Sequence, residues 1–207
     1  FSISKCGLKP SESDVSDPLA DLALELQRLK ETRDADLRST FNRSLPFADA
    51  QFDRWERAKA LGFGDKTSIY DSSFIFGEVK VGIETWIGPF TMLDGSGGGL
   101  SIGDHCSISA GVHIYTHDTV LWAVSGGVQQ ARKSAVKIGS NTYIGAQSVI
   151  VAGVTIGERC VIAANSLVNR DVPDGMIVGG TPARKLGHVE GVGADARLIF
   201  SRGGDRT

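Results

Sequence analysis

Cysteine, proline, aromatic residues, long apolar runs and an excess of either charge are all scarce in this chain of 207 residues. Its three cysteines, Cys6, Cys106 and Cys160, form neither an even disulfide set nor a CxxC metal pattern, so they read as reduced thiols. No apolar run approaches the length that spans a bilayer, and the first residues, FSISKCGLKP, lack the apolar core of a secretory signal; the expectation is a cytoplasmic protein with no membrane span. The 22 basic and 24 acidic residues leave a formal charge of −2, and the basic residues are scattered. That distribution argues against a nucleic-acid partner and for a small molecule. Proline is rare at 6 residues, whereas glycine is abundant at 26 and recurs inside an apolar pattern, which disorder does not explain.

What is present is a repeat with a period of six residues. Aliphatic side chains fall at Ile69, Ile75, Val81, Ile87 and Leu93, then after a glycine-rich slip at Ile102, Ile108 and Ile114, and again from Ile138 through Ile144, Ile150, Ile156 and Ile162 to Val168. Glycine follows the aliphatic at Gly82, Gly88, Gly103, Gly139, Gly145 and Gly157, and a small or β-branched residue such as Thr85, Cys106, Thr142, Ser148 or Cys160 comes later in the same hexad. A period of six fits neither a helical face nor an unbroken strand. It fits short strands joined by corners, where glycine serves unusual dihedrals or close backbone approach, with identical positions stacked into ladders.

On these residues, most plainly VKIGSNTYIGAQSVIVAGVTIGERCVIAANSLV, the chain resembles the hexapeptide-repeat acyltransferases over roughly residues 67 to 185. The resemblance implies an all-β solenoid core, a left-handed parallel β-helix with three hexads per coil; the handedness comes from the resemblance alone. It also implies acetyl-CoA as co-substrate, no metal, and a homotrimer with the carrier bound between subunits. Sugar O-acetyltransferases of the galactoside and maltose type are the similar branch, which makes a saccharide or sugar-nucleotide the expected acceptor. An amino sugar acetylated on nitrogen, a zinc-dependent carbonic-anhydrase-type protein and a non-catalytic solenoid are the alternatives.

The expected organisation is an N-terminal helical region over 1–64, the β-helix over 65–180 and a C-terminal segment over 181–207. Asp17 and Pro18 are placed to start a helix carrying Leu19, Leu22, Leu26 and Leu29 on one side. A second helix is expected from about Asp49 to Leu61, with Phe52, Trp55 and Ala58 on one face, and the two would cap one open end of the solenoid. Two breaks interrupt the ladder: LDGSGGGLS, and the stretch from His117 to about Val136, read as a loop extruded from the scaffold. The tail after Gly187 shows no periodicity and is expected to be loosely ordered.

Acyl transfer from a thioester to a hydroxyl needs a base, and neutral histidine is the natural one. Of the four histidines, His105 and His188 read as surface residues, His113 should face outward beside Ile114, and His117 begins the extruded loop. The resemblance favours His117 as catalytic base and leaves His113 as a competitor or a substrate-binding residue. Asp94, brought by the glycine-rich slip onto the preceding coil, either binds sugar hydroxyls or caps its own turn. Trp86 and Trp122 either stack on a sugar or simply pack. For the carrier, matching the late coils and the segment GGTPAR implies Ala146, Ala164, Asn169, Arg170 and Arg184, with Lys185 assisting, the arginines supplying fixed charge for phosphates. Cys106 and Cys160 fall on the small-residue ladder and need no catalytic role.

Overall fold

Each hexad turns its aliphatic inward: Ile69, Ile87, Leu93, Ile108, Ile114, Ile144, Ile150 and Ile162 are all fully buried. A computed structural model describes residues 17–201, so Cys6 and the opening segment FSISKCGLKP lie outside the described residues. Contacts divide the chain into two units, with the boundary between Gln51 and Phe52.

The first unit contains helices α1 (Pro18–Phe41) and α2 (Phe47–Gln51). Asp17 caps α1 as expected, its carboxylate accepting from the Leu19 amide at 3.0 Å. Among the described residues no residue of α1 is buried, and Leu19, Leu22, Leu26 and Leu29 are exposed.

The second unit begins with α3 (Arg54–Ala60). The single helix expected from Asp49 to Leu61 is broken because the Asp53 carboxylate accepts from the amides of Trp55 and Glu56, which starts a new helix there. α3 packs on the first coil. Ala58 and Phe63 join the core, and Arg57 donates to the carbonyls of Tyr70 and Ser73, so this short helix covers the first coil, while Phe52 and Trp55 stay exposed.

The strands are β1 (Ser68–Ile69), β2 (Phe74–Val81), β3 (Trp86–Ile87), β4 (Met92–Ile102), β5 (Ser107–Ile108) and β6 (His113–Ile114). After an excursion they continue as β9 (Val136–Ile138), β10 (Tyr143–Ile144), β11 (Val149–Ile150), β12 (Thr155–Ile156), β13 (Val161–Ile162), β14 (Leu167–Val168) and β15 (Met176–Gly179). The excursion holds β7 (His117–Asp118), helix α4 (Val120–Val124) and β8 (Arg132–Lys133). Parallel pairing stacks Ile69, Ile87, Ile108, Ile144, Ile162 and Val178 on one face. A second face stacks Ile75, Leu93, Ile114, Ile150 and Val168, and a third Val81, Ile102, Ile138 and Ile156. The result is a left-handed parallel β-helix of about 6 turns. Each fully buried aliphatic contributes about 1.5–3 kcal/mol relative to exposure.

The corners separate two demands that the sequence leaves together. Where glycine follows the aliphatic it is needed for space: a Cβ at Gly139 would lie 2.6 Å from the Glu158 amide nitrogen of the next coil, and one at Gly145 2.5 Å from that of Ala164. The left-handed backbone occurs two residues later. Glu84, Phe90, His105, Asn141, Gln147, Arg159 and Asn165 hold it with φ between 52° and 62°, alternating with Gly111, Gly153 and Gly175. Hydroxyls of the small-residue ladder then tie coil to coil. Thr85 Oγ1 donates to the Gly103 carbonyl and accepts from the Cys106 amide, and Thr142 Oγ1 does the same for Gly157 and Cys160. Cys106 and Cys160 stand in that ladder with their thiols directed at the carbonyls of Gly139 and Pro173.

The tail differs from expectation. β16 (Arg184–Glu190) turns back antiparallel on β15, and β17 (Arg197–Phe200) follows it, so residues 184–200 extend the first face as a hairpin. The unpaired edge of the last coil selects this pairing, which a six-residue period does not report.

Candidate active site

The ladder is lost after Ile114 because the chain leaves the solenoid, and the coil closes behind it. The Ser134 amide donates to the Thr116 carbonyl at 2.8 Å, β7 pairs antiparallel with β8, and the ladder resumes at Val136, which is fully buried. His117 is the first residue of this neck, opposite Lys133. Asp118 accepts from the Val120 amide just ahead of α4 and meets Arg132 at 3.3 Å. The extruded loop expected from the lost periodicity is therefore a helix-bearing hairpin.

The glycine-rich slip wraps this neck. It forms a widened stretch of β4 opposite a register shift between Gly77 and Val79, and it folds Asp94, Ser96 and Gly97 against His117. Asp94 Oδ2 lies 2.7 Å from His117 Nδ1. Asp94 Oδ1 accepts from the Ser96 amide at 2.9 Å and from Ser96 Oγ at 2.6 Å, and Ser96 Oγ is itself 3.3 Å from His117 Nδ1. The Gly97 amide donates to Thr116 Oγ1, and a Cβ at Gly97 would meet His117 Cβ at 2.9 Å, so only glycine lets the slip lie this close.

Asp94 is buried, and burial alone pushes its carboxyl up; the Ser96 hydroxyl and amide and the neighbouring His117 outweigh that and hold it below the ordinary aspartate value. The carboxylate is thus anionic at neutral pH and faces His117 Nδ1 rather than Nε2. Among the described residues no group of three His, Cys, Asp or Glu side chains is placed to hold a metal ion.

The other candidates are distributed over the scaffold. His113 lies half-buried on β6, its Nδ1 3.2 Å from Tyr115 Oη and the two rings perpendicular. Trp122 is exposed on α4. Trp86 is not brought to His117: it lies on the first face, edge-on to Tyr70 with ring centroids 6.5 Å apart. Asn169, Arg170, Arg184 and Lys185 come together around one cleft of about 380 Å³ at the last coil, floored by Met176 and Val178. Ala146 and Ala164 are outside that lining and stack at successive corners, where the Asn165 amide donates to the Ala146 carbonyl at 2.9 Å. The column and the cleft flank the second face, which carries His113 and leads into His117. Ser96 and Gly97 were not anticipated; the only signal for them is the alternation of glycine with a hydroxyl residue in DGSG.

Residues 135–170 match the family model described as bacterial transferase hexapeptide (six repeats). Among curated proteins, the chain is 40% identical over 92 residues to protein CapG of Staphylococcus aureus, covering 44% of this chain and 54% of that protein. It is 33% identical over 95 residues to galactoside O-acetyltransferase of Escherichia coli strain K12, covering 42% and 47%. The chain thus spans about half the length of these curated relatives. Among solved structures, a hexapeptide-repeat containing acetyltransferase from Vibrio cholerae superposes with a TM-score of 0.59 at 34% identity, covering 79% of this chain and 92% of that one, and the same protein has been solved with acetyl-CoA. With the coil geometry, the hexad ladder and a likeness that spans nearly the whole of the Vibrio protein, the chain belongs to the hexapeptide-repeat acetyltransferases.

Proposed function

We propose that this protein is an acetyl-CoA-dependent O-acetyltransferase acting on a hydroxyl of a saccharide or sugar-containing acceptor. The observation that carries the reading is the Asp94–His117 pair at 2.7 Å, held at the neck of the extruded loop. His117 Nε2 takes the proton of the acceptor hydroxyl as its oxygen attacks the thioester carbonyl. The tetrahedral intermediate collapses by breaking the C–S bond, and the departing sulfur receives the proton from the imidazolium. Asp94 acts through His117, holding the tautomer and balancing the imidazolium charge. No covalent enzyme intermediate is needed, because the thioester is already activated and both substrates can be held at once.

Asn169, Arg170, Arg184 and Lys185 around their cleft, with Ala146 and Ala164 along the corner column, are proposed to hold the carrier, the cationic groups meeting its phosphates. His113 and Trp122 are proposed to border the acceptor. The assembly is proposed to be a homotrimer in which a neighbouring copy completes the carrier groove, and a cytoplasmic location follows from the acetyl-CoA supply the reaction needs. His117→Ala is expected to lower kcat by about 10²–10⁴ with a hydroxyl acceptor while acetyl-CoA still binds by calorimetry. Assay against matched hydroxyl and amino sugars separates O- from N-transfer, since a free amine brings its own nucleophilicity. Full activity of the variant on every acceptor overturns the assignment.

A further inference from the structure

Two phenylalanines lie in the open beside the catalytic pair. Phe74 and Phe76 are 56% and 47% exposed on β2, on the outer side of the second face, where Ile75 between them points into the core. Their rings are parallel within 4° with centroids 6.3 Å apart, so together they present an apolar surface larger than one ring. Register ties it to the site. Phe76 pairs with Asp94, and Phe74 pairs with Met92, which pairs with His113. Adjacent strands are about 4.8 Å apart, so the surface begins one strand from the carboxylate that holds His117. Exposed stacked aromatics are costly to leave in water and are a usual lining of sites that take apolar ring faces.

Resting on the reading of His117 as base for a saccharide acceptor, we propose that Phe74 and Phe76 form a stacking floor for a second ring of the acceptor, one that lies beyond the sugar whose hydroxyl is acetylated. The shared chemistry is a flat ring face. Its two sources are a second pyranose in an oligosaccharide and the base of a nucleotide-linked sugar.

The test compares three probes of one sugar: methyl galactoside, lactose and UDP-galactose, with the glucose series (methyl glucoside, maltose, UDP-glucose) alongside. Wild-type protein is expected to favour at least one two-ring acceptor over the methyl glycoside by roughly tenfold in kcat/KM. The Phe74→Ala/Phe76→Ala variant abolishes that preference and the Phe74→Tyr/Phe76→Tyr variant keeps it; which two-ring probe is favoured names the source. An equal loss of kcat/KM on every acceptor, or a change of subunit number by light scattering, overturns the proposal by making the pair a structural or intersubunit contact. Acetylation of the probes with no preference for a second ring overturns it alone. Failure to acetylate any of them removes the saccharide reading, and this inference falls with it.

Discussion

Asp94 is the residue on which the proposed chemistry turns, and its ionisation gives a direct test. Its carboxyl is held below the ordinary value, so its stabilising contribution is complete above the unfolded aspartate pKa of about 3.9 and is lost as pH falls through the lower folded value. Asp94→Asn keeps the side chain's size and an acceptor for Ser96 but removes the charge proposed to select the Nδ1–H tautomer. It is expected to lower kcat by about 10²–10³ with little change in acetyl-CoA KM, and to melt with a flatter acid limb than wild type in thermal unfolding scanned from pH 6 to pH 2. An unchanged kcat would show that His117 needs no partner. The position of His117 at the foot of the extruded segment was legible in the sequence because the ladder fails immediately after it. Asp94 was legible as a residue and not as a partner, because hexad spacing does not say how nine residues of slip fold over a neighbouring coil. Burial raises the pKa of the Cys106 and Cys160 thiols, which agrees with their place in the hydroxyl ladder and with no part in the reaction.

At the level of the element, the corner divides its requirements between two positions, and the two respond oppositely to substitution. Gly145→Ala places a methyl 2.5 Å from the backbone of the next coil and is expected to cost about 1–3 kcal/mol in denaturant unfolding. Phe90 holds a left-handed backbone at φ 58° with its ring 58% exposed, so Phe90→Gly relieves strain and is expected to stabilise by on the order of 1 kcal/mol. The glycine position was visible in the six-residue period, but the left-handed position two residues later was not, since φ there is set by winding and not by residue type. The tail hairpin was illegible for a related reason. Residues 184–200 acquire order from the edge of the coil they pair with, and no local pattern announces an edge.

For the molecule as a whole, the proposed carrier cleft lies at the last coil and α3 covers the first, so carrier binding and the start of the solenoid can be perturbed separately. Arg184→Ala is expected to raise the acetyl-CoA KM about tenfold with a thermal midpoint within a degree or two of wild type, since an exposed side chain at the cleft adds little to stability. An unchanged KM would place the phosphates elsewhere. The architecture itself was the most legible property, because each buried aliphatic repeats one demand many times over. Coil closure at Ser134 and Thr116 carries one more consequence. The neck closes where His117 and Asp118 pair with Lys133 and Arg132, and the ladder resumes at Val136, so residues 119–131 beyond the neck are thermodynamically a cassette: they can be lengthened, shortened or exchanged with a loop-entropy penalty of only about 0.6 kcal/mol per doubling. On the proposed reading, new acceptors are recruited by rewriting the hairpin beyond its neck while the scaffold and the Asp94–His117 pair stay as they are.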